Sequence, residues 1–218
     1  MKYLGPTQSG SLAGDTASRN RFGQYFRRRA VPVNPSSTFQ LNQRARMALN
    51  AAAWRALTAI QRAGWATLGL SMIRTDSLGQ TYDLNGFLAY CSVNNNKLDA
   101  GDAAVSDAPA IVTPPSLLTA TVTLTAAAMS IAYTTTPLAA GNRLFSFATP
   151  MTSAGRGFLA DYRLIAVSAA AAASPANIFA AYQARLGTPV VGTRIGFSLA
   201  IYNGGFKGVP FAVSQVVA

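Results

Sequence analysis

A chain of 218 residues, half of them hydrophobic, with a formal net charge of +11, is long enough to bury a core as one large domain or two small ones. It has no histidine, no glutamate and one cysteine, which excludes Ser-His-Asp and Cys-His catalysis, histidine metal ligands, a cysteine-based zinc site and an internal disulfide. No apolar run reaches the about 20 residues that span a bilayer. The opening MKYLGPTQSGS has no apolar h-region, so no secretory signal is expected.

The charge is unevenly placed. Residues 1–75 carry 11 basic residues against one acid, Asp15, for a net charge of +10. Residues 76–218 carry 7 basic residues against 6 acids, for a net charge of +1. Only 11% of the chain is charged, where about 25% is usual for a free soluble domain. Such a surface is expected to be hidden against partners. The 15 arginines against 3 lysines point the same way, because the guanidinium fork suits interfaces.

In chain order, residues 1–35 form a basic arm rich in Gly, Ser, Asn and Arg. SGSLAGDTASRNRFGQYFRRRAVPV alternates loosely and predicts an extended arm or β-hairpin, with Gly14 and Gly23 at turns and Pro32 and Pro35 ending it. Residues 36–98 form a helical region. Asn34 is the expected N-cap and Pro35 the first helical position. Leu41, Ala45, Ala48, Leu49, Ala52, Ala53 and Leu57 fall at helical spacing and predict the buried face. Arg44 and Arg55 lie about 20° apart on the wheel, on a separate polar stripe. Met47 and Trp54 lie off that apolar face, which leaves either a second partner surface or simple burial between the arm and the C-terminal half. Thr58 and Gln61 form a capping box for a second helix, with Trp54 and Trp65 expected to pack across the pair. A turn and then a third helix, Asn85 to Lys97, follow, with Cys91 read as a core residue.

Residues 99–118 hold Asp99, Gly101, Asp102, Asp107, Pro109, Pro114 and Pro115 and read as a solvated linker and domain boundary. KLDAGDAAVSD lacks the spacing and closing Glu of a calcium loop. There is no GxxxxGK[ST] and no GxGxxG. An enzyme is not expected, and no cofactor or metal is implied.

Residues 119–218 change texture. LTATVTLTAAAMSIAYTTTPL, NRLFSFATP, DYRLIAVSAA, TRIGFSLAIYN and VPFAVSQVVA are strand candidates separated by Gly, Pro and Asn turns. One helix interrupts them, with Ser174 as N-cap, Pro175 at its first position, Gly187 as its stop, and Phe179 and Tyr182 pinning it to a sheet. The expected fold class is α+β: an extended arm and helical region, then an antiparallel immunoglobulin- or fibronectin-like β-sandwich with one inserted helix.

Two stretches carry a resemblance. SRNRFGQYFRRRAVPVNP with WRALTAIQRAGW resembles a group of uncharacterised proteins of tailed bacteriophages and prophage-like regions. Their pattern is a Ser-Arg-Asn-Arg arm, Pro-Val-Asn-Pro, and a Trp-x-x-Leu-Thr-x-x-Gln-Arg-x-x-Trp helical pair. It falls here on Ser18 to Gly23, Tyr25, Arg27, Arg29, Pro32 to Pro35, Trp54, Leu57, Thr58, Gln61, Arg62 and Trp65. The stretch AYQARLGTPVVGTRIGFSLAIYNGGFKGVP is also similar to that group. The resemblance implies a virion or assembly component and supplies no catalytic residue.

The expected function is therefore a non-enzymatic virion structural protein, capsid- or tail-associated. Arg19, Arg21, Phe22, Tyr25, Phe26, Arg27, Arg28 and Arg29 would form the interface, and Trp54, Leu57 and Trp65 the helical packing. Expected partners are other virion subunits in a homo-oligomer, with no membrane and no small molecule. The alternative is a nucleic-acid-binding protein, since a net charge of +10 over 75 residues would engage phosphates, although no helix-turn-helix, zinc finger or RNP pattern appears.

Overall fold

The computed structural model describes residues 8–12, 14–31, 34, 36–76, 78–134 and 136–218. Among the described residues the architecture is α+β with four helices, and every strand pairing is antiparallel. The chain forms two compact units, residues 1–44 and 45–218.

In the first unit, β1 (Gly10–Leu12), β2 (Asp15–Asn20) and β3 (Gly23–Arg28) build one sheet in that order. Gly14 lies in the turn between β1 and β2. Arg21 and Phe22 form the two-residue turn into β3. The Asn20 side chain accepts the Phe22 N–H there at 2.9 Å. Gly23 takes a φ of +116°, which a side chain resists. Pro32 and Pro35 lie outside the described residues.

Helix α1 (Thr38–Ala56) begins later than Asn34-Pro35 predicts. Ser36 holds a φ of +46°, a left-handed conformation that keeps the helix from starting before Ser37. The Ser37 carbonyl accepts the Leu41 N–H at 3.0 Å, and its hydroxyl the Gln40 N–H at 3.4 Å. Asn34 does not cap; its side-chain oxygen accepts from Arg44 at 3.0 Å.

The second unit opens with a helical layer. Helix α2 (Ala59–Ser71) carries the predicted capping box in full: the Gln61 N–H donates to Thr58 Oγ1 at 3.2 Å and the Thr58 N–H to Gln61 Oε1 at 2.9 Å. Strands β4 (Ile73–Thr75) and β5 (Thr81–Asp83) form a hairpin where only a turn is predicted. Asp76 closes it by accepting the N–H groups of Leu78 and Gln80 at 2.8 and 2.9 Å. Helix α3 (Gly86–Asp99) starts as expected, with Asn85 accepting the Leu88 N–H at 2.8 Å. Trp65, Leu68, Ala89, Tyr90 and Val93 are buried between α2 and α3, with Cys91 a buried free thiol. The approach of α2 to the segment before α3 is close. A Cβ on Gly69 would lie 2.2 Å from the Leu84 carbonyl oxygen.

Residues 100–118 hold no helix or long strand, and most of them are exposed, but the segment is tied down at particular side chains. Asp102 accepts from Arg143 Nη2 at 2.8 Å and from the Tyr202 hydroxyl at 2.7 Å. Asn94 of α3 is bonded to both backbone groups of Val105, at 2.8 and 3.1 Å. At the end of α3, Asp99 pairs with Arg46. These carboxylates are drawn inward because arginines of neighbouring elements need partners at half-buried positions.

Five predicted strand stretches appear as β6 (Thr119–Leu124) with β7 (Met129–Thr134), β8 (Arg143–Ala148), β10 (Arg163–Val167), β12 (Thr193–Asn203) and β14 (Phe211–Val216). Short β9 (Thr152–Ser153), β11 (Ala176–Asn177) and β13 (Phe206–Lys207) complete two sheets. One has the order β11-β7-β6; the other runs β10-β8-β12-β13, with β14 and β9 also on β12. Their side chains share one core: Leu124, Met129 and Ile131 from the first, Leu144, Ile195, Phe197, Leu199 and Ile201 from the second. Alternation along β12 sends Tyr202 to the opposite face, where it stacks on Phe145 at 4.9 Å.

Helix α4 (Phe179–Leu186) starts later than Ser174-Pro175 predicts. Ser174 spends its hydroxyl on the Tyr133 N–H at 3.0 Å, and the chain first pairs as β11 with β7. The Asn177 side chain accepts the Phe179 N–H at 3.0 Å instead. Gly187 ends the helix as expected, at a φ of +93°. Tyr182 is fully buried in the shared core and donates to the Thr149 carbonyl at 3.1 Å. Burial pushes its phenol from 10.0 up to about 12.

Three outcomes follow from this packing. Gly69→Ala loses about 1–3 kcal/mol in denaturant unfolding because the backbone must shift. Gly64→Ala, whose Cβ would meet only Ala108 at an ordinary 3.6 Å, gains about 0.5 kcal/mol from helix propensity. The neutral Tyr182 phenol contributes stability that is whole below the unfolded value of 10.0 and is lost as pH rises through about 12. An alkaline titration of unfolding is therefore steeper for the native sequence than for Tyr182→Phe across that window.

Candidate functional site

The arginine-rich stretch falls on β2, β3 and the turn between them. Cross-strand partners share a face of a sheet, and neighbours along a strand take opposite faces. Arg19 pairs with Gln24, Ala17 with Phe26 and Asp15 with Arg28, so Arg19, Phe26 and Arg28 share one face. Ser18 pairs with Tyr25 and Thr16 with Arg27, which places Tyr25 and Arg27 on the other. Arg29 follows the strand, its N–H on the Gly14 carbonyl at 2.7 Å. At the tip, the Arg21 guanidinium lies 4.6 Å from the centre of the Phe22 ring, which is 73% exposed.

The structure thus brings the eight predicted interface residues onto one small sheet, spread over two faces and a tip. The five arginines are exposed, and none takes part in an ion pair among the described residues. An open hollow of about 550 Å³ lies on the face of Phe26, lined in part by Ser11, Asp15 and Ala17.

The expected helical-packing residues Trp54, Leu57 and Trp65 lie in one apolar cluster. Leu57 and Trp65 are buried, and the Trp65 indole N–H donates to the Ser106 carbonyl at 2.7 Å. The two tryptophans meet through a third ring: Tyr90 of α3 lies 5.5 Å from Trp54 and 5.1 Å from Trp65. Within α1, the predicted apolar face is not the covered one. Leu41, Ala45, Ala48, Leu49, Ala52 and Ala53 are all exposed. The covered side carries Arg46, Asn50 and Trp54. Arg46 pairs with Asp99, the Asn50 amide donates to Asn95 at 2.9 Å, and Trp54 packs edge-on to Phe87 at 5.7 Å. The reason lies in α3, whose C-terminal half is Asn94, Asn95, Asn96 and Asp99. Asn94 and Asn96 find backbone partners at Val105 and Gly205, while Asn95 and Asp99 are met by Asn50 and Arg46 on the polar side of α1.

The alanine-leucine stripe of α1 is therefore uncovered. Leu49 is 69% exposed, and Ile60 of α2 is 86% exposed. Sequence periodicity finds such stripes but does not say which is covered. No family model matches the chain, and no curated protein matches it. Among the described residues, no helix is long and apolar enough to cross a membrane.

The face assignment has a direct check. Leu49→Ser and Ile60→Ser leave the unfolding free energy within about 0.5 kcal/mol, whereas Trp54→Ala costs about 2 kcal/mol or more. Chemical denaturation of the three variants separates the covered side from the uncovered one.

Proposed function

We propose that the chain is a non-enzymatic structural protein of bacteriophage particles. In this reading it is a capsid- or tail-associated assembly or decoration component that contacts other virion subunits through its arginine-rich sheet. It is made in the host cytoplasm and resides in the virion. The observation that carries the reading is the arm itself: five exposed arginines and exposed Phe22, Tyr25 and Phe26 on a folded sheet. A fixed geometry with aromatic anchors suits a specific surface, since aromatic and arginine side chains dominate interface energetics. The uncovered stripes of α1 and α2 support the same class, because large exposed apolar surface marks interaction sites. The resemblance of the arm and the helical pair to tailed-phage proteins agrees with it.

The two facing sheets support an immunoglobulin- or fibronectin-like sandwich as the interaction module. Taken in chain order, β6, β7 and β11 stand where strands A, B and E stand in that fold. Strands β8, β12 and β14 stand where C, F and G stand, with β10 beside C. The shared core between the sheets is what that architecture requires. Nucleic-acid binding is the second reading, favoured by the net charge of +10 over residues 1–75.

Light scattering and particle association, measured with and without residues 1–35, test the proposal. The full chain stays on particles, and the chain without residues 1–35 is released from them. Assembly that survives truncation, with loss of salt-sensitive DNA binding, would overturn it in favour of the second reading.

A further inference from the structure

The geometry points to an acidic stretch of a different polypeptide, and not a second copy of this chain, as the partner that covers the arginine-rich sheet. This rests on the assembly reading above and names the chemistry of the partner.

A count of carboxylates carries it. The chain has seven acidic side chains, all aspartate. Asp99, Asp102 and Asp161 are held by Arg46, Arg143 and Arg163. Asp76 accepts the backbone N–H groups of Leu78 and Gln80, and Asp107 accepts from the Gln61 amide. Among the described residues, that leaves four carboxylates outside ion pairs: Asp15, Asp76, Asp83 and Asp107. A neighbouring copy could offer at most these four to the five guanidinium groups of Arg19, Arg21, Arg27, Arg28 and Arg29. It would bring five guanidinium groups and a net charge of +11 of its own. Like charges brought together across an interface repel, and a desolvated charge without a partner is costly. A symmetric pairing of two arms therefore works against itself. A partner rich in Asp or Glu does not, and the planar guanidinium suits paired contacts to carboxylates.

The layout favours polypeptide over duplex DNA. Arg19 and Arg28 lie on one face, Arg27 on the other and Arg21 at the tip. A duplex meets one face of a sheet, whereas a basic footprint on two faces and a tip suits a groove that receives the ribbon. Phe22, Tyr25 and Val31 are exposed among the arginines. Phosphate contacts leave such groups in water, while the core of a protein interface covers them.

The test uses the full chain and fluorescence anisotropy at about 0.15 M salt. Three labelled probes of matched charge are a peptide of alternating glutamate and leucine, polyglutamate, and duplex DNA. The arm variant is Arg19→Gln, Arg27→Gln and Arg28→Gln combined. A control of equal charge combines Arg55→Gln, Arg74→Gln and Arg156→Gln. The glutamate-leucine peptide binds tightest, and the arm variant weakens it about tenfold while the control changes it by less than about twofold. Phe22→Ser weakens that peptide and leaves polyglutamate unchanged. Four results would overturn the proposal: no binding of the peptide, tightest binding of the duplex, equal losses in both triple variants, or probe-free self-association that the arm variant abolishes. Absence of the chain from particles would instead overturn the assembly reading, and these binding constants would still decide the nature of the partner.

Discussion

The carboxylate of Asp102 is the point on which the second unit turns. It lies just after α3 and receives both a guanidinium from β8 and a hydroxyl from β12. Strand β12 is the centre of the larger sheet, so this one side chain joins the helical layer to the sheet layer. Removing a partner of such a network strands the remaining polar groups in a half-buried site, which costs more than the bond itself contributes. The Tyr202 phenol shows the electrostatic consequence. Desolvation first, then the hydrogen bond to Asp102, push it well above the ordinary tyrosine value.

Polar pairing, more than apolar periodicity, decides how the helices lie. Near the end of helix α3, Asn95 and Asp99 pair with Asn50 and Arg46, which lie on the polar side of α1. The leucines and alanines of α1 are left outside. A fold that satisfies its buried polar groups at the expense of its apolar stripe leaves that stripe exposed. The arm follows the same logic with the opposite chemistry, because its unmet groups are charges.

Much of this was legible in the sequence where the signal is local. The Thr58-Gln61 box, Asn85, Gly187 and the five long strand stretches depend on neighbours a few residues away, and each stands where its residue types put it. What escaped depends on distant partners. Ser174 reads as a cap until Tyr133, 41 positions away, claims its hydroxyl. Asp102 reads as a turn former until Arg143 and Tyr202 arrive from the far end of the chain. Leu41 to Ala53 reads as a buried face because periodicity records amphipathicity and not what lies opposite. For the arm, the residues and their extended form were legible, but the division of Arg27 and Arg28 between faces acquires meaning only from the register with β2.

Cys91 carries a consequence of a different kind. It is the single thiol of the chain, it sits on α3 inside the helical cluster, and burial raises its pKa. A thiolate reagent reaches it only when that layer opens. Its labelling rate is therefore a clock for local unfolding of the helices, separate from melting of the sheets. No engineered label is needed to ask whether a partner seated on the uncovered stripe slows that opening.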